Sequence, residues 1–413
     1  MAQEEIITGL DVGSNMVRVV VGQKHEKDSK VHILGIAEAP SEGISKGVIN
    51  SIEDAVSSIS SCLEQAERMT GIPIEHSYVA ISGSHIISQD SHGIVAVAKA
   101  DGEIREEDVE RAIEAAQTVA TPPNYEILHV IPRSFTVDNQ KGIKDPTGMT
   151  GIRLEVDAEI ILGQSSQIKN LTKCIYRTSV DIDDLVLGVL ASAESILTKR
   201  QKDLGVAVLN IGGATTSLLV MEEGDVIHTA VLPIGSGHIT NDIAIGLRTS
   251  IDVAEKVKIE YGSSLPNEIN KREEIDLSEF SPQESERVSQ KHVAEIIEAR
   301  LEEIFDMVEK ELKNIGRSGL LPAGIVLTGG GAKLPGIVET AKATFKLPCH
   351  VGYPLEVVTA IDKINDPTFT TAIGLVLWGS ELTTKSTRAF KGGFSSVKDV
   401  TGKMNKWFKS LMP

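Results

Sequence analysis

Cysteine is scarce in this chain: Cys62, Cys174 and Cys349 are the only three among 413 residues, far apart and without a CxxC pair. That usage argues against a structural zinc site or a disulfide framework and for a reducing cytosol. No run of ~18 consecutive apolar residues occurs, so no membrane-spanning helix is expected. The opening MAQEEIITGLDVGS lacks a basic start followed by an apolar run, so no secretory signal is expected there. Basic residues are in deficit, with 41 Lys and Arg against 58 Asp and Glu, a net charge of −17. So acidic a body repels a phosphate backbone, which argues against nucleic acid as the main partner. GxxxxGK[ST] is missing, which excludes a P-loop protein, and no GxGxxG with a downstream ribose acid is present.

What is there is ordinary globular composition, 41% apolar and 24% charged, in a length that suits two or three compact units. EIITGLDVGSNMVRVVVGQ reads as strand, turn, strand, and 31–38 as another strand. Ile52, Val56, Ile59, Leu63 and Ala66 form one stripe and predict a helix at 51–69, ahead of a strand at 78–83. Residues 84–160 mix short β-like runs with one helix after Arg105 that ends before Pro122 and Pro123. They read as a small α+β unit inserted into a larger domain. A helix at 165–178, the strand-like DDLVLGV, one helix over LASAESILTKR and the strand VAVLNIGG follow. The hairpin, helix, strand order thus recurs roughly 200 residues on, which suggests two related halves. Residues 252–313 read as charged helix broken by the polar SSLPNEINKREEIDLSEFSPQE, and helix 288–313 carries a clear apolar stripe. GIVLTGGGAKLPGI (324–337) reads as buried strand, glycine turn and helix start, and 380–396 as a linker.

Three turns are candidates for holding phosphate or nucleotide. LDVGSN places Asp11 at a strand end, then Gly13, Ser14 and Asn15. LNIGGATTS follows Asn210 with Gly212, Gly213, Ala214, Thr215 and Thr216. LTGGGAKLPG sets Gly329, Gly330 and Gly331 between strand and helix, with Lys333 just beyond. Glycine lets a backbone approach a phosphate and turn N–H groups toward it, and a hydroxyl adds a donor. Each turn alone is also a common hairpin or loop; their order carries the signal.

The charge is unevenly spread. From Arg388 to Pro413 six basic residues face one acid, leaving the tail at +5 and the rest at −22. Wound as a helix over 397–411, Val397, Val400, Met404, Trp407, Phe408 and Leu411 gather on one side, with Lys398, Lys403, Lys406 and Lys409 opposite. A basic face backing Trp and Phe suits the interface of an anionic bilayer, at roughly 1 kcal/mol per basic residue. Packing of that helix on the body is the alternative.

Two hairpin turns in related halves, then a GGG turn after a helical insert, resemble the actin-like ATPase superfamily. The details look like the FtsA family of bacterial division proteins: YVAISGSH, VLASAESILT, LGVAVLNIGGATTSLLV, LPIGSGHITNDIAIGLRTSIDVAEKVKIEYG and DPTFTTAIGLVLWG. The resemblance spans most of residues 6–380. It implies an α/β, ribonuclease H-like, duplicated two-lobe ATPase fold with an inserted α+β subdomain and a C-terminal amphipathic helix. One lobe would combine 1–83, 161–200 and 362–382, interrupted by the insert at 84–160. The other would combine 201–245 and 314–361 around a helical insert at 246–313, with a linker at 383–396 and the tail helix at 397–413.

The same resemblance implies ATP and Mg²⁺ as cofactors. Asp11, Gly13, Ser14 and Asn15 would form the first phosphate loop, with Asp11 organising water on Mg²⁺. Gly212, Gly213, Ala214, Thr215 and Thr216 would form the second. Gly329, Gly330, Gly331 and Lys333 would border the nucleoside, and Glu255 and Lys258, sharing one helix face, would reach ribose and base. The family's second loop reads DIGGGTTD; here Asn210, Ala214 and Ser217 depart from it. Asn210 can accept a hydrogen bond but carries no charge, so it cannot serve as a carboxylate base. ATP binding with slow or absent turnover is the expectation.

As partners the resemblance implies other copies of the chain in head-to-tail protofilaments, anionic lipid, the C-terminal peptide of FtsZ, and later division proteins. The place would be the inner face of the cell membrane at the division site. Val397, Val400, Lys403, Met404, Lys406, Trp407, Phe408, Lys409 and Leu411 would touch the membrane, and Arg287, Lys291 and Arg300 the FtsZ peptide. On the same fold, a PilM-like peptide-binding scaffold and a small-molecule kinase are alternatives. The tail speaks against the first and Asn210 against the second.

Overall fold

The computed structural model describes residues 5–25, 30–98, 101–118, 121–282, 284 and 286–386. The tail helix expected at 397–413 lies outside the described residues.

β1 (Glu5–Val12) and β2 (Met16–Lys24) pair antiparallel around Gly13, Ser14 and Asn15, and β3 (Val31–Pro40) returns beside β2. A short ribbon, β4 (Ile44–Ser45) and β5 (Val48–Ile49), leads into α1 (Ile52–Thr70). Its buried stripe includes Ile59, Cys62, Leu63 and Ala66; Ser51 caps the start by accepting from the Asp54 N–H, and left-handed Gly71 ends it. β6 (His76–Ile81) then joins β1 in parallel.

A second, smaller unit follows. β7 (Ile86–Ala96), α2 (Glu106–Gln117), β8 (Tyr125–Val137), β9 (Gln140–Ile143) and β10 (Arg153–Gln164) build an antiparallel sheet ordered β7-β10-β8-β9, with α2 against it. Ile104, Ile113, Phe135, Leu154 and Val156 give it a core of its own. The chain re-enters the first sheet through α3 (Ser165–Tyr176), β11 (Asp181–Leu187), parallel to β6, and α4 (Gly188–Ile196). LASAESILTKR is therefore not one helix. Leu197 is extended, and Thr198 starts α5 (Lys199–Leu204) with a reciprocal cap between its side chain and Gln201.

β12 (Val206–Ile211), β13 (Thr216–Glu222) and β14 (Asp225–Leu232) repeat the opening meander. After α6 (Ser236–Leu247) and α7 (Ile251–Tyr261), the polar stretch that read as turns holds a three-residue ribbon, β15 (Glu274–Asp276) with β16 (Arg287–Ser289). α8 (Gln290–Asn314) buries Val293, Ile297, Leu301, Ile304, Phe305, Val308 and Leu312, the stripe its sequence predicts. β17 (Ile325–Thr328), α9 (Ile337–Phe345) and β18 (Cys349–Val351) complete the second sheet, ordered β14-β13-β12-β17-β18. The first runs β11-β6-β1-β2-β3-β19, where β19 is Val357–Val358. From the meander outward both sheets pair antiparallel, antiparallel, parallel, parallel. The second half is a topological copy of the first, and Asp11 and Asn210 hold the same place in it, one residue from the end of their strands.

α10 (Thr370–Ser386) packs on β1 and α4. The linker begins later than expected, because α10 continues through residues 380–386; after Gly379 its sequence offers neither Pro nor Gly to stop it. Trp378 in α10 is buried and donates to Asp184 Oδ2 at 3.2 Å. Beside it burial pushes His129 down to about 4, so its Nε2 carries a lone pair and accepts from the Leu187 N–H at 2.9 Å. The small unit also touches the second half. Glu159 Oε1 accepts from both the N–H and the O–H of Thr229 at 3.0 Å, and Ser88 Oγ donates to the Thr229 carbonyl at 2.9 Å. Arg133 stands 3.3 Å from the other Glu159 oxygen.

The α4–α10 contact depends on a missing side chain. A Cβ on Gly374 would lie 1.7 Å from the Ala191 carbonyl oxygen. Gly374→Ala is expected to cost ~3 kcal/mol or more, since neither helix backbone can yield freely. Urea unfolding measures this; a change below ~1 kcal/mol would show that the helices can separate cheaply.

Candidate functional site

The duplicated hairpins end at one place. Gly13 N–H donates to Met16 O at 3.1 Å, and Gly212 N–H to Thr215 O at 2.9 Å, so each meander turns its tip in the same way. The tips face each other: a Cβ on Gly213 would meet Asn15 Oδ1 at 2.4 Å. Between them opens a cleft of about 430 Å³, lined from both halves.

Most of the residues singled out in the sequence meet there. Asp11, Gly13, Ser14, Asn15, Asn210, Gly212, Gly213, Ala214, Thr215, Glu255, Lys258, Gly329, Gly330, Gly331 and Lys333 all line the cleft. Thr216 does not. It is fully buried at the start of β13 and its hydroxyl donates to Ile234 O at 2.8 Å, so it anchors the turn from behind. Strand alternation explains this, because one residue beyond the turn the side chain faces the sheet's packed side.

Each turn is braced from outside. Ser14 Oγ accepts from the Gly47 N–H at 3.0 Å, which leaves its own O–H to donate. The start of α6 holds the second turn, with Ser236 and Gly237 N–H groups donating to Gly212 O and Gly213 O at 2.9 and 2.7 Å. Lys258 Nζ sits 2.6 Å from Glu255 Oε2 and 2.8 Å from Thr240 Oγ1 on the cleft wall. Lys333 pairs with Asp366 at 2.6 Å.

Cross-strand register places Asp11 beside Arg18 and Arg18 beside Glu38. Arg18 Nε lies 3.4 Å from Glu38, whose Oε1 accepts from Lys363 Nζ at 2.6 Å. Burial pushes Asp11 up to about 6, and Arg18 only partly opposes it. A carboxylate short of positive charge therefore faces the cleft between two glycine turns.

Sequence reading missed Arg18, Gly47 and Ile259, which also line the cleft. Ile259 is 68% exposed and adjoins Lys258 on α7, an apolar platform that helical spacing alone does not distinguish from a solvent-facing side chain. Arg287, Lys291 and Arg300 lie apart, on or beside α8. Arg287 pairs with Asp276 at 3.3 Å, while Arg300 is gripped by Asp242 of α6, its Nη2 at 2.8 Å, and by Glu303. Among the described residues no His, Cys, Asp and Glu cluster suits a metal ion, and no helix is long and apolar enough to cross a membrane.

Comparison with known proteins gives a consistent result. A family model described as cell division protein FtsA matches residues 207–374, and one described as SHS2 domain inserted in FTSA matches 83–162. FtsA of Pseudomonas aeruginosa is 39% identical over 375 residues, 91% of this chain and 89% of its own. FtsA of Borreliella burgdorferi is 38% identical over 410 residues, 98% of each chain. Among solved structures, one from a PilM-PilN type IV pilus biogenesis complex aligns at TM-score 0.66 and 17% identity, covering 91% of this chain and 98% of that one. MreB5 of Spiroplasma citri bound to AMPPNP aligns at TM-score 0.54 and 12% identity, covering 94% and 99%. These likenesses show the actin-like ATPase fold, and the sequence relatives go further: the chain belongs to the FtsA family of cell division proteins.

Proposed function

We propose that the cleft binds ATP with Mg²⁺ and turns it over slowly, and that the nucleotide-bound protein assembles head to tail on the inner face of the cell membrane. The observation that carries the first part is the pair of equivalent glycine turns facing each other across one cavity. Backbone N–H groups of both turns, with the Ser14 hydroxyl and Thr215, would hold phosphate oxygens from opposite sides. Asp11 would hold the water shell of Mg²⁺; the ion supplies positive charge that draws electron density from the terminal phosphate. Glu255 and Lys258 would meet the ribose, with Ile259 and the Gly329–Gly331 turn against the base. The residues fit a triphosphate: two turns built on glycine, a Ser14 O–H left to donate, and a carboxylate that lacks a full counter-charge. Asn210, in the place equivalent to Asp11, brings no second carboxylate and cannot deprotonate the attacking water. Slow turnover follows.

The tail supports the second part. An apolar stripe of Val397, Val400, Met404, Trp407, Phe408 and Leu411 backed by Lys403, Lys406 and Lys409 would bind anionic lipid weakly per copy, and a filament would multiply that attachment. We propose that Arg287, Lys291 and the half-buried Arg300 receive the acidic C-terminal peptide of FtsZ. FtsZ filaments would then be tied to the membrane and later division proteins gathered there.

Three outcomes test this reading. A fluorescent ATP analogue binds the full chain in the presence of Mg²⁺, while phosphate release stays far below the ~10 s⁻¹ of a median enzyme. Failure to bind, or fast Mg²⁺-dependent release by the monomer, would refute it. The sign for Asp11 is set by its raised value. Its contribution to folded stability is whole below the ordinary 3.8 and lost as pH rises through about 6, so the ionised form waits for a cation. Mg²⁺-dependent affinity should therefore drop roughly tenfold per pH unit below that value, and Asp11→Asn should flatten the profile at its weak end. Finally, the full chain floats with anionic vesicles, and a chain truncated before residue 394 remains at the bottom of the gradient.

A further inference from the structure

Asn210 is not idle. Its Nδ2 donates to Ser192 Oγ at 2.9 Å and to Thr371 Oγ1 at 3.1 Å. Ser192 belongs to α4 and Thr371 to α10, both packed with the first half, whereas Asn210 belongs to β12 of the second. The amide thus ties one half to the two helices of the other, immediately before the second glycine turn.

One arrangement of protons satisfies every contact at this junction. Ser192 Oγ donates to Gly188 O at 2.9 Å, so the 2.9 Å contact between Ser192 and Thr371 is made with the Thr371 proton. Both hydroxyls then have only lone pairs left, and both are buried. They require a donor, and an –NH2 group supplies two. A carboxylate would be met only by turning a Ser192 or Thr371 proton toward it, away from Gly188 O or from the other hydroxyl. On the other side Gly329, at φ +83°, leaves room for the amide: a Cβ there would lie 2.4 Å from Asn210 Oδ1.

We propose that Asn210 is a positioning residue, an inter-lobe clasp that sets the second glycine turn against the first half by donating to both hydroxyls of the Ser192–Thr371 pair. The catalytic charge is absent because this position is occupied with holding the lobes together. The clasp deepens the nucleotide reading, and its affinity arm rests on that reading; its stability arm does not.

The test is a double-mutant cycle on the full chain with Asn210→Asp, Thr371→Val and both, plus Asn210→Ala. Thermal unfolding without nucleotide and affinity for a fluorescent ATP analogue are the readouts. Asn210→Asp should lower the melting temperature by about 4 °C and the affinity by roughly tenfold. Asn210→Ala should be milder, because it removes the donors without adding a buried charge. In the double variant the losses should be less than additive, since Asn210 and Thr371 share one contact. Additive losses, a neutral Asn210→Asp, or Asn210→Ala more harmful than Asn210→Asp would each overturn the clasp. If Asn210→Asp does not fold, a melting temperature of Asn210→Ala lowered from that of wild type supports the clasp and an unchanged one opposes it. A wild-type chain that binds no ATP analogue would sink the nucleotide reading alone, with the melting cycle still deciding the clasp.

Discussion

Helices α4 and α10 approach each other until the Gly374 site meets the Ala191 carbonyl, and on its other side α10 rests on β1, where a Cβ on Gly9 would lie 2.2 Å from Ala372 O. This stack of strand, helix and helix leaves no room for even one methyl group. Dense packing of this kind transmits displacement instead of absorbing it. Thr371 sits inside the stack and touches Asn210 across the boundary between the halves. The height of the second glycine turn above the first is therefore set by backbone contacts more than by flexible side chains. A cleft built so can be narrow and still keep its shape.

Charge at the cleft is arranged by strand register. Asp11, Arg18 and Glu38 follow one another across β1, β2 and β3, and Arg18 leans on Glu38 on one side with its guanidinium 5.6 Å over the Phe369 ring. Arg18 is shared, so it does not fully compensate Asp11, and the carboxyl stays raised. In the function proposed above, a cation arriving with the nucleotide would complete what the protein leaves undone. At the scale of the whole chain charge is likewise uneven, with −22 on residues 1–387 and +5 on 388–413.

Much of this was legible in the sequence. Glycine turns after apolar strands announce themselves because few other residues tolerate such close approach, and the α8 stripe is visible because one side of a long helix must be apolar. The duplication could be read from element order. What was hidden depends on contacts between distant residues. The break in LASAESILTKR does have a local signal, Thr198 three residues before Gln201, the spacing of a reciprocal helix cap. The ribbon of β15 and β16 has three residues per strand, too few for alternation to register. Thr216 looked like its neighbour Thr215, but the pleat sends the two side chains to opposite sides. Asn15 against Gly213, and Asn210 against Thr371, are long-range pairs that no local pattern encodes.

β14 ends the order of the second sheet, so at Thr229 its backbone would have stood at a sheet rim. Glu159 and Ser88 occupy both polar groups of that peptide position with side chains from the small unit. A rim left open invites another copy of the chain to add its own strand, the first step toward uncontrolled aggregation. The small unit shields the rim at that point, so a second copy of the chain cannot add a strand there.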